Sequence, residues 1–438
     1  VISNTGAGDG AIYQALYNPR VTDDAGKTSV SWVGALNALF IDRFGNLRED
    51  SSAPFGKLDA NDWAVKIFYD NSARRTRLQR YGVNTDGSLG AALAEPAEIG
   101  DIRSIWSAQN TLSQVADYST QRSQYAASAS TGRYILTGID ENGDGLIAAP
   151  VQKNQANSEV KPFVPETFID STENHFRLLG ITTFDDAKAK YQASQLVDFI
   201  RGVEGLQGFR SRTLLTDKGS FPWLLGDIVH SSPAVVGRPK ESFDVSFNDE
   251  TYRLFKQKYK DRRQMVYVGA NDGMLHAFNA GFYDPTQTRY NLSANGETEH
   301  PLGAELWAYV PFNVLPHLQW LGLPDYPHVY TVDGPVKSFD VNIFPDDDVH
   351  PGGWGTIIVA TLRFGGGDYS LDPNSAPDGD ASDDITLRSS VVVIDVTDPE
   401  RPPNVLLEYT DEQLGYTTAE PSIVKFREVG TNGSFSNP

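Results

Sequence analysis

The sequence predicts a mainly β protein. A β-rich N-terminal module with inserted helices, residues 1–219, is followed by part of a β-propeller, residues 220–438. Three observations carry this. The 438 residues include 39 Gly and 25 Pro but two Met, a composition of turns and strands rather than helical bundles. Apolar runs are short, with Gly, Asn and Asp between them. After about residue 220, strand-sized runs recur with a shared grammar, the sequence sign of a repeat architecture.

In chain order, helices are expected from Trp32 to Phe40 and over Thr111–Tyr118. Trp63-Ala-Val-Lys-Ile-Phe-Tyr69 alternates and breaks at Asp70-Asn71, so it reads as a strand. Arg133-Tyr-Ile-Leu-Thr137, closed by Gly138, is another. Within residues 184–203, helical spacing puts Ala193, Leu196, Phe199 and Ile200 on one face, and Gly202 supplies a stop. Further on, Ala234-Val-Val-Gly237 follows Ser231-Ser-Pro233. Gln264-Met-Val-Tyr-Val268 and Met274-Leu-His-Ala-Phe278 flank Asn271-Asp-Gly273, a hairpin whose turn residues tolerate positive φ. Leu306–Val310, Gly355–Ala360, Ser390–Asp395 and Leu406–Tyr409 continue the series. Glu420-Pro-Ser-Ile-Val424 echoes Ser-Ser-Pro-Ala-Val. Repeated four-strand units predict propeller blades; a β-sandwich is the alternative. Two blades and the start of a third are visible, so the polypeptide or its partner is expected to continue past Pro438.

Lys and Arg total 37 against 57 Asp and Glu, a net charge of −20. That balance excludes sequence-independent binding to nucleic acid, which needs a basic surface, and repels anionic lipid. Cysteine is absent, which removes disulfides, thiolate metal sites, iron–sulfur clusters and a Cys nucleophile. No run of about 18 apolar residues exists, so no transmembrane helix is expected. The chain opens on Val1 without Met or a signal peptide and is expected to be a piece of a longer or processed protein.

Several motifs, in their order, resemble those of PilC/PilY-type proteins, the adhesin and assembly factors at the tip of type IV pili. Arg201-Gly202 and Leu225-Gly-Asp-Ile-Val-His-Ser-Ser-Pro-Ala-Val-Val-Gly237 are similar to the opening of their propeller. Val266-Tyr-Val-Gly-Ala-Asn-Asp-Gly-Met-Leu-His-Ala-Phe278 is similar to the first blade. Tyr330-Thr-Val-Asp-Gly-Pro335, Gly365-Gly-Gly-Asp-Tyr369, Thr397-Asp-Pro399 and Leu414-Gly-Tyr-Thr-Thr418 follow in the family's order. Phe44-Gly-Asn-Leu-Arg-Glu-Asp50 and Lys57-Leu-Asp59 fit upstream. The resemblance implies a quinoprotein-like propeller and a secreted, extracellular protein at the pilus tip, exported through the periplasm. It further implies support of pilus assembly, retraction, twitching motility and surface adhesion. The implied partners are minor pilins and a host-surface or glycan ligand.

Two acidic loops have calcium character. Asp140-Glu-Asn-Gly-Asp-Gly145 places Asp140, Asn142 and Asp144 at loop positions 1, 3 and 5, with the Leu146 carbonyl at 7. Alternate oxygens of a tight loop converge on one point, and Ca²⁺ takes six to eight of them at about 2.3–2.6 Å. Positions 9 and 12 are Ala148 and Val151, so a carboxylate must come from elsewhere, with Glu159 and Glu166 the candidates. The competing reading is an Asx-rich turn without metal. In the second loop, Leu371 to Asp384, the resemblance implies oxygens from Asp372, Asn374, Asp378 and Asp380, though Pro373 and Pro377 distort the spacing. The stretch Asp50–Asp59 keeps its terminal acids but has lost its middle oxygens and reads as degenerate.

Enzyme readings find less support. Gly303-Ala-Glu-Leu-Trp307 resembles the docking turn of quinoprotein dehydrogenases, but a packed Trp explains it without a cofactor. Neither a Gly-x-Ser-x-Gly elbow nor a phosphate-binding Gly-x-x-x-x-Gly-Lys loop is present. His230 beside Ser231 and Ser232 is the one catalytic-looking juxtaposition, and the resemblance assigns it to the entry to the propeller. The expectation is therefore a binding protein rather than an enzyme. A quinoprotein-like enzyme and a purely structural filament component are the alternatives. The basic clusters Arg74 to Arg80 and Lys256 to Arg263 read as solvated faces.

Overall fold

The computed structural model describes residues 10–23, 26–148, 156–170, 175–183, 185–216, 219–294, 296–372 and 384–424. Eight strands between Ala11 and Ser107 form one antiparallel sheet. Its spine is the pair Ala11–Thr22 and Ser29–Ile41, in register from Ala11 against Phe40 to Thr22 against Ser29. The helix expected from Trp32 to Phe40 is therefore a strand. The run contains Gly and Ala, which fit either period, and residues 33–40 are buried on both faces. Double-sided burial erases the alternation that marks a half-exposed strand.

Gly34 has a positional reason within that strand. A Cβ there would stand 2.0 Å from the Gly226 carbonyl oxygen. The Gly34 N–H donates to Leu225 O at 2.9 Å, and the Trp223 indole N–H donates to Gly34 O at 2.7 Å. Ala38, Phe40 and Trp106 pack in one cluster with Val266, Val268 and Phe278, so the N-terminal sheet rests on the sheet that follows. The strand read at Trp63–Tyr69 is present as Ala64–Asp70. The helix expected over Thr111–Tyr118 lies earlier, at Ala108–Leu112, where Ala108 and Leu112 are buried. The long helix is Asp186–Arg201. Its Asp185 side chain accepts from the Lys188 N–H at 3.1 Å, and Gly202 ends it at φ 127°.

Two four-strand meanders follow. The first runs Ala234–Val236, Gln264–Gly269, Leu275–Asp284, Glu305–Val310; the second runs Val336–Asn342, Trp354–Thr361, Val391–Asp395, Asn404–Tyr409. Consecutive strands pair antiparallel, the plan of a propeller blade. Each meander is extended at its last strand by a segment from the first half of the chain. Ile135–Gly138 pairs parallel with Glu305–Val310 and carries Val160–Pro162 on its other side. Ile147–Ala148 pairs with Asn404–Tyr409 of the second meander. Hydrogen-bonded ladders thus cross the position 219/220, because the outer edges of both sheets are finished by residues 135–162. The sheets do not close on themselves. Pro421–Val424, the echo of Ser-Ser-Pro-Ala-Val, forms no strand.

Candidate functional site

The Asp140 loop joins the added strand of the first meander, Ile135–Gly138, to that of the second, Ile147–Ala148. It spans the gap between two sheets. Asp140 Oδ1 accepts the Gly143 N–H at 2.8 Å, and Oδ2 accepts the Gly145 N–H at 2.8 Å. Asn142 Oδ1 accepts from Asp144 N at 2.9 Å, and Asp144 Oδ1 from Leu146 N at 2.8 Å. Gly143 and Gly145 take φ of 73° and 81°, the left-handed conformation this tight turn needs. Each of the three side chains thus accepts from the loop's own backbone, the pattern of an Asx-rich turn.

Glu159, one of the two proposed carboxylate donors, sits behind the loop. It is buried; Oε2 accepts the Ala148 N–H at 3.0 Å, and Oε1 has no hydrogen-bond partner. Burial raises its carboxyl above the ordinary value; the Ala148 N–H opposes this, and Asp140 and Asp144 push it further up. Glu166, the other candidate, lies on the helix Pro165–Ile169 and acts electrostatically on Asp198 of the long helix. Among the described residues, no three His, Asp or Glu side chains already form a metal cage. A cation here would draw on Asp140, Asn142, Asp144 and the Leu146 carbonyl, with Glu159 as the carboxylate nearest in charge.

At the second loop, Tyr369–Leu371 and Ile385–Leu387 pair as the base of a hairpin. Asp372 follows that base directly, while Asn374, Asp378 and Asp380 lie outside the described residues. The degenerate stretch folds around buried Asp62, which accepts the N–H groups of Ser51 at 2.8 Å, Ser52 at 3.0 Å and Asp59 at 2.9 Å. Burial pushes the Asp50 carboxyl up to about 6; the Gly56 N–H opposes that, and Asp62 and Asp59 add to it.

The basic clusters are solvated in part, with Arg74, Arg75, Lys258 and Lys260 exposed, and in part paired. Arg80 grips Glu49 at 2.8 and 2.9 Å, Arg75 reaches Glu98 at 2.9 Å, and Arg77 reaches Asp70 at 3.4 Å. Arg263 is buried against Glu400 at 2.6 Å. These acids are distant in sequence or lie across strands, so spacing along one segment did not disclose them.

A buried charge network also escaped sequence reading. Arg133 holds Glu305 through two bonds of 2.7 Å and donates to the Arg201 carbonyl at 2.7 Å. His276 lies between Glu305, at 2.7 Å from Nδ1, and Asp272, at 3.1 Å from Nε2. Asp272 in turn accepts the Gly226 N–H at 2.8 Å. Burial works against charge on His276, yet Asp272 and Glu305 carry its imidazole up to about 9. Burial alone would raise the Glu305 carboxyl, but Arg133 and His276 hold it well below the carboxylate range. The network joins the long helix, the first meander and the Gly226 segment on which the N-terminal sheet rests. Ser231, beside His230, is fully buried and accepts the Gly269 N–H at 2.9 Å through its hydroxyl; His230 pairs instead with Asp333 at 2.7 Å.

The architecture is thus that of propeller blades whose outer edges are completed by an upstream segment. Residues 225–436 match the family model described as the PilY1 beta-propeller domain. The type IV pilus biogenesis factor PilY1 of Pseudomonas aeruginosa (strain UCBPP-PA14) is 32% identical over 286 residues, covering 63% of this chain and 19% of that protein. A PilY1 homolog of Xylella fastidiosa is 28% identical over 304 residues, covering 64% of this chain and 17% of its own. The chain therefore spans less than a fifth of these relatives' length. The crystal structure of the Pseudomonas aeruginosa PilY1 C-terminal domain aligns with 46% of this chain and 30% of that one, at 24% identity and a TM-score of 0.26, too loose a superposition to carry an argument. No helix among the described residues is long and apolar enough to cross a membrane.

Proposed function

We propose that this chain is the propeller-bearing part of a secreted type IV pilus biogenesis factor, acting by binding at the pilus tip rather than by catalysis. The observation that carries the reading is the PilY1 β-propeller match over residues 225–436, joined to relatives named as type IV pilus biogenesis factors. In this reading the propeller contacts minor pilins during assembly and retraction and contributes to surface adhesion and twitching. Calcium in the Asp140 loop is part of the proposal. Its support is the spacing of Asp140, Asn142 and Asp144 in one tight loop and the buried Glu159, whose Oε1 has no hydrogen-bond partner among the described residues. A divalent cation would relieve repulsion among Asp140, Asp144 and Glu159. Because the loop connects the edge strands of two sheets, ordering it would tie those edges together. The acidic loop after Leu371 is proposed as a second calcium site through Asp372, Asn374, Asp378 and Asp380.

Piliation and twitching of a strain carrying Asp140→Ala/Asp144→Ala test this. Reduced surface pili or twitching in calcium-replete medium is expected. Wild-type behaviour would remove calcium from the mechanism. In the purified protein, free calcium at 100-fold above its dissociation constant is expected to add about 2.7 kcal/mol of stability per site. A chelator should reverse that gain in the parent protein and do nothing to the double variant.

A further inference from the structure

Two segments of the chain exchange His–Asp pairs. Asp227 and His230 lie on the approach to the first meander, and His328 and Asp333 on the approach to the second. Asp227 Oδ2 meets His328 Nε2 at 2.8 Å, and Asp333 Oδ2 meets His230 Nδ1 at 2.7 Å. Both carboxylates are buried, whereas the His230 side chain remains 29% exposed. Each buried Asp fixes the orientation of a ring whose other nitrogen has no hydrogen-bond partner among the described residues. Among those residues Asp227 Oδ1 is likewise buried and unpartnered.

Around these imidazoles runs a chain of aromatic rings. His328 lies 4.8 Å from Tyr330, and Tyr330 lies 5.8 Å from both His230 and Phe364. Phe364 lies 6.0 Å from Tyr416. Phe364 and Tyr416 are 42% and 58% exposed, large values for rings held against one another. Arg363 places its guanidinium 4.9 Å from the Phe364 ring centre and 4.0 Å from Asp333. Of the five non-glycine residues with positive φ among the described residues, Trp32 and Arg363 both belong here. Trp32, at φ 54°, lays its ring 3.9 Å from His328, and Arg363, at φ 57°, presents Phe364. Strained backbone persists only where surrounding structure holds it, and such positions concentrate at binding sites.

We propose that this cluster is a carbohydrate-binding site that takes a neutral pyranose, stacking it on Phe364 and Tyr416 and hydrogen-bonding its hydroxyls through His230, Tyr330 and Arg363. Hydroxyls both donate and accept. The cluster matches them with a donor, Arg363, two groups that do both, the Tyr330 and Tyr416 hydroxyls, and His230 Nε2. With Nδ1 donating to Asp333, that nitrogen accepts in the neutral ring. An extended proline-rich segment offers mainly carbonyl acceptors and leaves such an acceptor unused. An anionic ligand would meet a chain of net charge −20 and two buried carboxylates close behind the rings.

The site deepens the adhesion reading and rests on it. Its test is saturation-transfer NMR on the purified chain with lactose, N,N′-diacetylchitobiose and methyl α-D-mannoside at millimolar concentration. At least one sugar is expected to receive saturation, and Phe364→Ala and Tyr416→Ala should each weaken binding roughly tenfold, about 1.4 kcal/mol. Phe68→Ala, which removes an exposed ring of the N-terminal sheet, should leave binding unchanged. Both cluster rings are exposed, so these variants should keep the parent melting temperature. Silence from all three sugars overturns the proposal, as does binding that survives both cluster substitutions or falls equally in Phe68→Ala. In cells, Phe364→Ala should keep normal piliation while losing sugar-dependent attachment. Lost piliation would instead assign the patch to assembly, overturning the sugar site without touching the biogenesis reading.

Discussion

At the scale of single residues, the interior of this protein is decided by a few buried charges. Glu408 is fully buried with no cationic partner among its hydrogen bonds. It accepts from Tyr309 Oη at 3.0 Å, Phe312 N at 2.9 Å, Asn313 N at 3.0 Å, Asn313 Nδ2 at 2.8 Å and Ser390 Oγ at 3.1 Å. Five donors stand in for a counter-ion and join the second meander to the segment after the first. Glu408→Gln turns one acceptor into a donor against other donors. A loss of about 2–3 kcal/mol is expected in urea unfolding, and an unchanged midpoint would mean the bonds are individually idle. Asp50 behaves oppositely. Its folded value of about 6 lies above the ordinary 3.8, so the ionised carboxylate costs stability above pH 6, and that cost disappears as pH falls toward 3.8. Asp50→Asn should therefore raise the melting temperature at pH 7.5 and bring little gain near pH 4.

At the scale of elements, close approach and edge completion matter more than propensity. The strand Ser29–Ile41 docks on the segment around Gly226 because Gly34 has no Cβ to meet the Gly226 carbonyl, while Gly226 itself lies tight against Asn271 and Asp272. Gly34→Val would drive a side chain into the Gly226 carbonyl. Limited proteolysis should then release the N-terminal sheet at protease concentrations that spare the parent; equal resistance would show that the docking is dispensable. The long helix was legible because its apolar face and its stop lie within one contiguous window. The strand at Trp32–Phe40 was not, since a run buried on both sides carries no period to read.

For the whole molecule, the Arg133–Glu305–His276–Asp272 network connects the long helix and the first meander to the Gly226 segment. The sign of its pH response follows from His276. An imidazole raised to about 9 from 6.5 stabilises the fold fully below pH 6.5, and that contribution is lost as pH rises through 9. Thermal melts of the parent and of His276→Gln should differ most near pH 6 and converge above pH 9. A gap that widened with pH would show that the ring is held neutral. The Asp140 loop belongs to this scale too, since its ends are strands of different sheets.

The mainly β character, the blade meanders and the self-bonded turn at Asp140, Asn142 and Asp144 were determined by the sequence itself. Each rests on interactions within a short stretch: alternation along a strand, a turn between neighbours, or alternate oxygens in one loop. Tertiary structure alone decided what spans the chain. Residues 135–162 complete the edges of sheets made from residues 234–409, and Arg133 finds Glu305 across 172 positions. Glu159, rather than Glu166, stands behind the Asp140 loop, and His230 meets Asp333 instead of its neighbouring serines. A buried carboxylate or imidazole needs a partner, but sequence does not say which distant group the fold will bring to it.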